Sequence, residues 1–172
     1  MGQYYYVVNL TKKQFIDPSA FNDLLKLCEF VPYGKGTMMA LGVLLCSGNG
    51  QGGGDILSNA FVKEEKKYIK KEITTYPDVS KFNSPLFGSW AGDQIVIAGD
   101  YDEHGKYLTE TEIEKTLSEA KKQNEKSEGG DKEKKDEDYV INVYKACSLG
   151  IFKDISQDTF IAIKNSNFAK YF

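Results

Sequence analysis

The stretch from Gly88 to Tyr101, GSWAGDQIVIAGDY, constrains the fold more than any other part of the chain, because it holds the only tryptophan and the clearest strand signal. Ile95, Val96 and Ile97 are β-branched and are bounded by Gly92-Asp93 and Gly99-Asp100. A short buried strand between two turns satisfies that pattern. Phe87 and Trp90 precede the first turn, so the simplest geometry is a hairpin in which Leu86–Trp90 returns through Ala91–Asp93 into Gln94–Ala98. The glycines would supply the positive φ that such a turn needs.

A chain of 172 residues supports one domain with a real core, and 41% hydrophobic with 13% aromatic residues argues against global disorder. The formal net charge of −3 gives no strong pull toward nucleic acid or acidic membranes. All 22 basic residues are lysine. Arginine is the usual bidentate grip on phosphate, so its absence argues against a nucleic-acid reader, although an AT-rich coding bias produces the same composition. Cys28, Cys46 and Cys147 are odd in number and widely spaced, as expected of reduced thiols in a cytoplasmic protein. The opening residues lack a basic n-region and read as a strand. The apolar run Met38–Cys46 is about half of what a bilayer crossing requires, so no membrane is expected.

Tyr4–Val8 and Gln14–Ile16 flank a polar turn and predict a first hairpin. Asp17-Pro18 reads as a helix start, with Phe21, Leu24, Leu25, Leu27 and Cys28 forming an apolar face up to Phe30; a short extended segment also fits. Thr37–Ser47 is apolar all round, which predicts a central buried helix; a buried strand matches the pattern too, but methionine and leucine favour helix. Lys63–Glu72 and Ile73–Tyr76 read as helix and strand. Two overlapping capping boxes, Thr109/Glu112 and Thr111/Glu114, open a surface helix from about Glu110 to Glu125. Residues 123–138 are low-complexity Lys/Glu/Asp/Gly and read as a charged insertion. From Thr109 to Asp138 seven lysines face eleven acids, so the acidity of the protein is local to this arm. From Tyr139 to Ile151 apolar residues recur at helical spacing, and Ser156 is placed to cap a last helix carrying Phe160, Ile161 and Ile163.

Four stretches have the residue types for chemistry. Gly48, Gly50 and Gly53 fit the dinucleotide fingerprint, but no βαβ rhythm follows and a Gly-rich loop explains them equally. Gly34-Lys35-Gly36-Thr37 has the look of a phosphate loop, yet Gly36 stands where serine or threonine is needed, and a helix start explains it better. Asp55, Asp93 and Asp100 sit beside glycines, as oxygen ligands of Mg²⁺ or Ca²⁺ do and as ordinary turn residues also do. His104 lies among Asp102, Glu103 and Gly105 in a turn, without a serine or cysteine motif for it to activate.

Met1–Tyr5 with Val8–Leu10, Leu25–Leu27 with Glu29-Phe30, Gly48–Asp55, Gly88–Asp93 with Ile95–Tyr101, and Asp154–Ser156 together give the chain its most distinctive blocks. In these blocks the chain resembles a family of small bacterial and phage proteins without an assigned activity. The resemblance spans most of the chain and implies a shared architecture, with residues 62–76 and 115–138 as insertions.

The expected architecture is a single α+β domain over residues 1–172, a small mostly antiparallel sheet (residues 4–16 and 86–98) packed on helices near 37–47 and 139–152. The expected function is that of a non-enzymatic protein-interaction or structural component of a larger cytoplasmic assembly, without a cofactor, bound to a protein partner or to copies of itself. Phe168, Tyr171 and Phe172 near the end of the chain are candidates for the contact. The alternative is a metal-assisted hydrolase or nucleotide-binding enzyme using the Gly-rich loop and the turn aspartates, with Mg²⁺ or Ca²⁺.

Overall fold

The computed structural model describes residues 2–32, 34–47, 84–127 and 135–171. Four strands form one mixed sheet: β1 (Tyr5–Asn9), β2 (Gln14–Ile16), β3 (Ile95–Gly99) and β4 (Lys153–Asp154), in the order β3-β1-β2-β4. The first hairpin forms as the alternation predicts, with Val7 opposite Ile16 and Val8 opposite Phe15. β3 also runs antiparallel to β1, with Val7 opposite Ile97. β4 pairs in parallel with β2. Five α-helices are described: α1 (Leu27–Phe30), α2 (Gly36–Leu45), α3 (Glu110–Lys126), α4 (Val143–Ser148) and α5 (Ser156–Lys164). The arrangement is the expected small α+β fold.

Strand alternation distributes the core over both faces of the sheet. Val7 and Ile16 point to one face, where they meet Phe21, Phe30, Trp90, the α2 residues Ala40, Val43 and Leu44, and Ile155 and Ile163 around α5. Val8, Phe15 and Ala98 point to the other, against Val143, Ala146 and Cys147 of α4 and against Phe152. Both faces of the sheet thus carry packed residues, but the strand expected to be buried at Ile95–Ile97 is only half-buried, and Ile97 is 38% exposed.

Several sequence expectations change. Leu86–Trp90 is not a strand but a chain of tight turns, in which Phe87, Ser89 and Ala91 each donate a backbone N–H to the residue three before it. The reason lies in α2, whose last carbonyls have no partners within the helix. Gly88 N–H donates to Val43 O (2.9 Å) and Trp90 N–H to Leu44 O (2.8 Å), so this segment caps α2. Gly88 adopts φ +73°, and a Cβ there would collide with the Cys46 carbonyl. The antiparallel partner of β3 is therefore β1.

The helix expected from Asp17 to Phe30 stops after one 3₁₀ turn, Pro18–Phe21. Asp17 does cap it, accepting from Ser19 N–H, but Asn22 turns left-handed (φ 61°) and ends it. Helical structure resumes only as α1. The helix expected from Tyr139 begins at Val143, because Ile141 is held extended: its N–H donates to His104 Nδ1 and its carbonyl accepts from Gly105 N–H. Asn142 then provides the cap by accepting from Lys145 N–H. Ser156 is the first residue of α5 and not its cap; Asp154 accepts its N–H at 2.8 Å. By contrast α2 and α3 form where expected, α3 with the Thr109/Glu112 capping box in place. The helix and strand expected within residues 63–76 and the middle of the charged insertion lie outside the described residues.

Candidate functional site

The turn aspartates are not brought together. Asp93 and Asp100 lie just beyond opposite ends of β3, which at ordinary strand rise separates them by roughly 20 Å. Asp93 accepts from Asn9 Nδ2 and pairs with Lys12 Nζ, both at 2.7 Å, and so ties the β1–β2 turn to the start of β3. Asp100 accepts from Tyr4 N–H (3.0 Å) at the other end. Gly48, Gly50, Gly53 and Asp55 lie outside the described residues, as does Phe172. Phe168 is partly buried against the Trp90 face of the core, so its ring packs inside its own chain, and the backbone of Tyr171 ends the last 3₁₀ turn. Among the described residues, no group of three or more His, Cys, Asp or Glu side chains is arranged to hold a metal ion.

The phosphate-loop look of residues 34–37 resolves into a helix cap. Gly36 opens α2 with φ +51°. Thr37 N–H and Oγ1 both donate to Asp23 Oδ2, each at 2.7 Å. A carboxylate of the chain itself thus sits where the amino end of α2 would hold an anion.

Two carboxylates should register in acid. The Lys12 ammonium, then the Asn9 amide, hold Asp93 below its ordinary 3.8. Burial raises the Glu112 carboxyl, but the Thr109 N–H and the Lys13 ammonium outweigh it, leaving the group below its ordinary 4.5. Both are depressed on folding, so the stability they contribute is complete above the unfolded values and is lost as pH falls through the folded ones. Thermal melting followed downward from about pH 5 should show a small loss from these pairs, and the D93N/E112Q double variant a smaller one. Equal slopes would count against these pairings.

A concave feature with chemically varied walls lies on the α4 side of the sheet. Phe15 and Asp17 follow each other at two-residue spacing along and just past β2, and Asp154 on β4 is the register partner of Phe15. The spacing puts Phe15 and Asp17 on one face, beside Tyr6. With Cys147 and Gly150 from the end of α4, and with Phe152, these residues line a cleft of about 450 Å³. The Tyr6 ring stacks on Tyr144 at 4.4 Å and tilts against Phe15 at 5.0 Å, which fixes the aromatic wall. Two Asp-x-Ser turns of the same design close the rim. Asp17 Oδ1 accepts from Ser19 N–H and Oγ, and Asp154 Oδ1 from Ser156 N–H and Oγ. Ser156 Oγ in turn accepts from Asp17 N–H (2.8 Å), joining the two turns.

The groups in the cleft that could react are held neutral. Burial, and then the charge of Asp154, push the Cys147 thiol well above its ordinary value. Burial, followed by the Tyr144 hydroxyl, does the same for the Tyr6 phenol. A thiol in this state is a poor nucleophile and such a phenol a poor base. The sequence reading missed this cleft; the repeated Asp-x-Ser spacing at 17–19 and 154–156 was its one visible trace. Comparison with protein-family models, curated proteins and solved structures gives no match to the chain.

Proposed function

We propose that the protein is a non-enzymatic interaction component of a larger assembly, docking through the surface around α1 onto a protein partner or a second copy of itself. The carrying observation is a set of three exposed apolar side chains in and around α1. Leu24, Leu27 and Val31 are 66%, 40% and 38% exposed, and follow one another at three- and four-residue spacing. Phe30 is fully buried and anchors the turn from beneath, so these side chains are presented by a fixed element. Single exposed leucines are ordinary, whereas three large apolar side chains left exposed within one short segment are of the kind that a partner covers.

The L24D/V31D double variant tests the reading. These side chains are exposed, so melting should change little, by about 0.5 kcal/mol per site. Association measured by light scattering after size exclusion, alone and with the partner isolated by affinity capture, should weaken by about tenfold or more. Unchanged association would remove these side chains from the contact.

A further inference from the structure

We propose that two copies of the chain pair through the outer edge of β3, antiparallel and centred on Val96, so that the sheet continues from one copy into the other. β3 ends the sheet order, and its strand neighbour is β1. Leu10 N–H donates to Gln94 O and Asp100 N–H to Tyr4 O, which sets the phase of the ladder. Gln94, Val96, Ala98 and Asp100 therefore turn their backbone groups toward β1, and Ile95, Ile97 and Gly99 turn theirs outward. Among the described residues the outward N–H and C=O of Ile95 and Ile97 meet no partner. Such a row is a template for another strand. The side chains agree: Ile97 is 38% exposed, Ile95 and Val96 are half-buried, and no lysine or proline interrupts the run.

The ends of this edge are closed, which decides what fits it. Gly99 donates its N–H to Asp102 Oδ2 (2.9 Å) and its carbonyl accepts from Asp102 N–H (3.1 Å), while Asp93 N–H is committed to Trp90 O (3.1 Å). A second copy brings an edge of the same length with the same closed ends. Set antiparallel with Val96 facing Val96, it places Ile95 opposite Ile97 of the second copy and satisfies the outward N–H and C=O of both residues in both copies. A slide of two residues either way would set Ile95 against Gly99, or Ile97 against Asp93, whose groups are taken. The centred register also lays Ile95 and Ile97 together across the seam, on the face of Val7, and so covers the exposed Ile97. Charge is compatible, since Asp93 and Asp100 fall opposite Gly99 and Gly92 of the second copy and no like charges face each other. The edge is distinct from the α1 surface, because Leu25 O accepts Tyr5 N–H on the side of β1 away from β3.

Amide hydrogen exchange of the full chain, read residue by residue from about 10 μM to about 1 mM, where a small interface assembles, tests the pairing. Val96 and Ala98, bonded to β1, should be protected at every concentration. Ile95 and Ile97 should exchange freely when dilute and about threefold or more slowly when concentrated, as sedimentation shows a dimer forming. Ile97→Lys puts a charge on the edge and should weaken dimerisation by about tenfold or more while Val96 stays protected. If that variant does not fold, the alternating pattern in the unaltered chain decides. The pattern should persist in L24D/V31D, which separates this contact from the one around α1. Ile95 and Ile97 amides that exchange freely at every concentration would overturn the proposal, even if the chain dimerises by another surface. Protection that appears only in cell extract would overturn it too, by assigning the edge to another protein's strand, as would a dimer left intact in folded I97K.

Discussion

Replacing Trp90 by alanine should cost about 3–5 kcal/mol, the range for deleting a large buried aromatic side chain. The ring is fully buried, between the sheet, α2 and the residues around α5. Its Nε1 donates to Gln14 Oε1 at 2.9 Å, which ties the turn segment to β2, while its backbone N–H caps Leu44. The alanine variant keeps that backbone bond, loses the packing and strands the Gln14 oxygen. Urea denaturation should show the midpoint falling steeply, and Trp90→Phe should fall less because most of the ring volume remains. A loss below about 1 kcal/mol for the alanine variant would contradict the packing described.

Asn142→Ala should be the second most damaging change, at about 2–4 kcal/mol for a buried amide that makes three hydrogen bonds. Asn142 is 1% exposed. Its Oδ1 caps α4 at Lys145 N–H (2.9 Å), and its Nδ2 donates to the carbonyls of Asp100 and Asp102, both at 3.1 Å. The side chain thereby joins the end of β3 to the start of α4. Asn142→Asp keeps the cap but sets a buried charge against two carbonyl oxygens, so it should be at least as unstable. Hydrogen exchange gives the local readout: in the alanine variant Lys145 and Ala146 should lose protection before the amides of β1. Equal loss across both regions would mean that Asn142 does not act as the joint.

Parts of this architecture were legible in the sequence because their signals are local. The alternation of Tyr5–Asn9 and Gln14–Ile16, the β-branched run at Ile95–Ile97 and the Thr109/Glu112 box each carry their own structural instruction. What failed depended on distant partners. Gly88 and Trp90 look like the approach to a hairpin until the end of α2 claims their N–H groups. β4 is two exposed polar residues whose pairing is decided entirely by β2. Val140 and Ile141 extend the helical spacing of α4, but the His104–Gly105 turn holds Ile141 out of the helix. Of the candidate sites, Asp93 and Asp100 read in the sequence as turn residues that could also be ligands, and the length of β3 keeps the two apart. Beyond the repeated Asp-x-Ser spacing the cleft left no trace in the sequence, since Tyr6, Asp17, Cys147 and Asp154 meet only after the parallel β2–β4 pairing forms.

The interaction role is tested most directly by lysine-reactive crosslinking of the full chain, purified and in extract of the source cells, followed by peptide mapping. Lys26 lies between Leu24 and Leu27 and Lys35 follows Val31 by four residues, and both lysines are exposed. The expected result is intermolecular crosslinks concentrated at these two lysines and lost in the L24D/V31D variant. A chain that yields only intramolecular crosslinks and stays monomeric in both preparations would contradict the account.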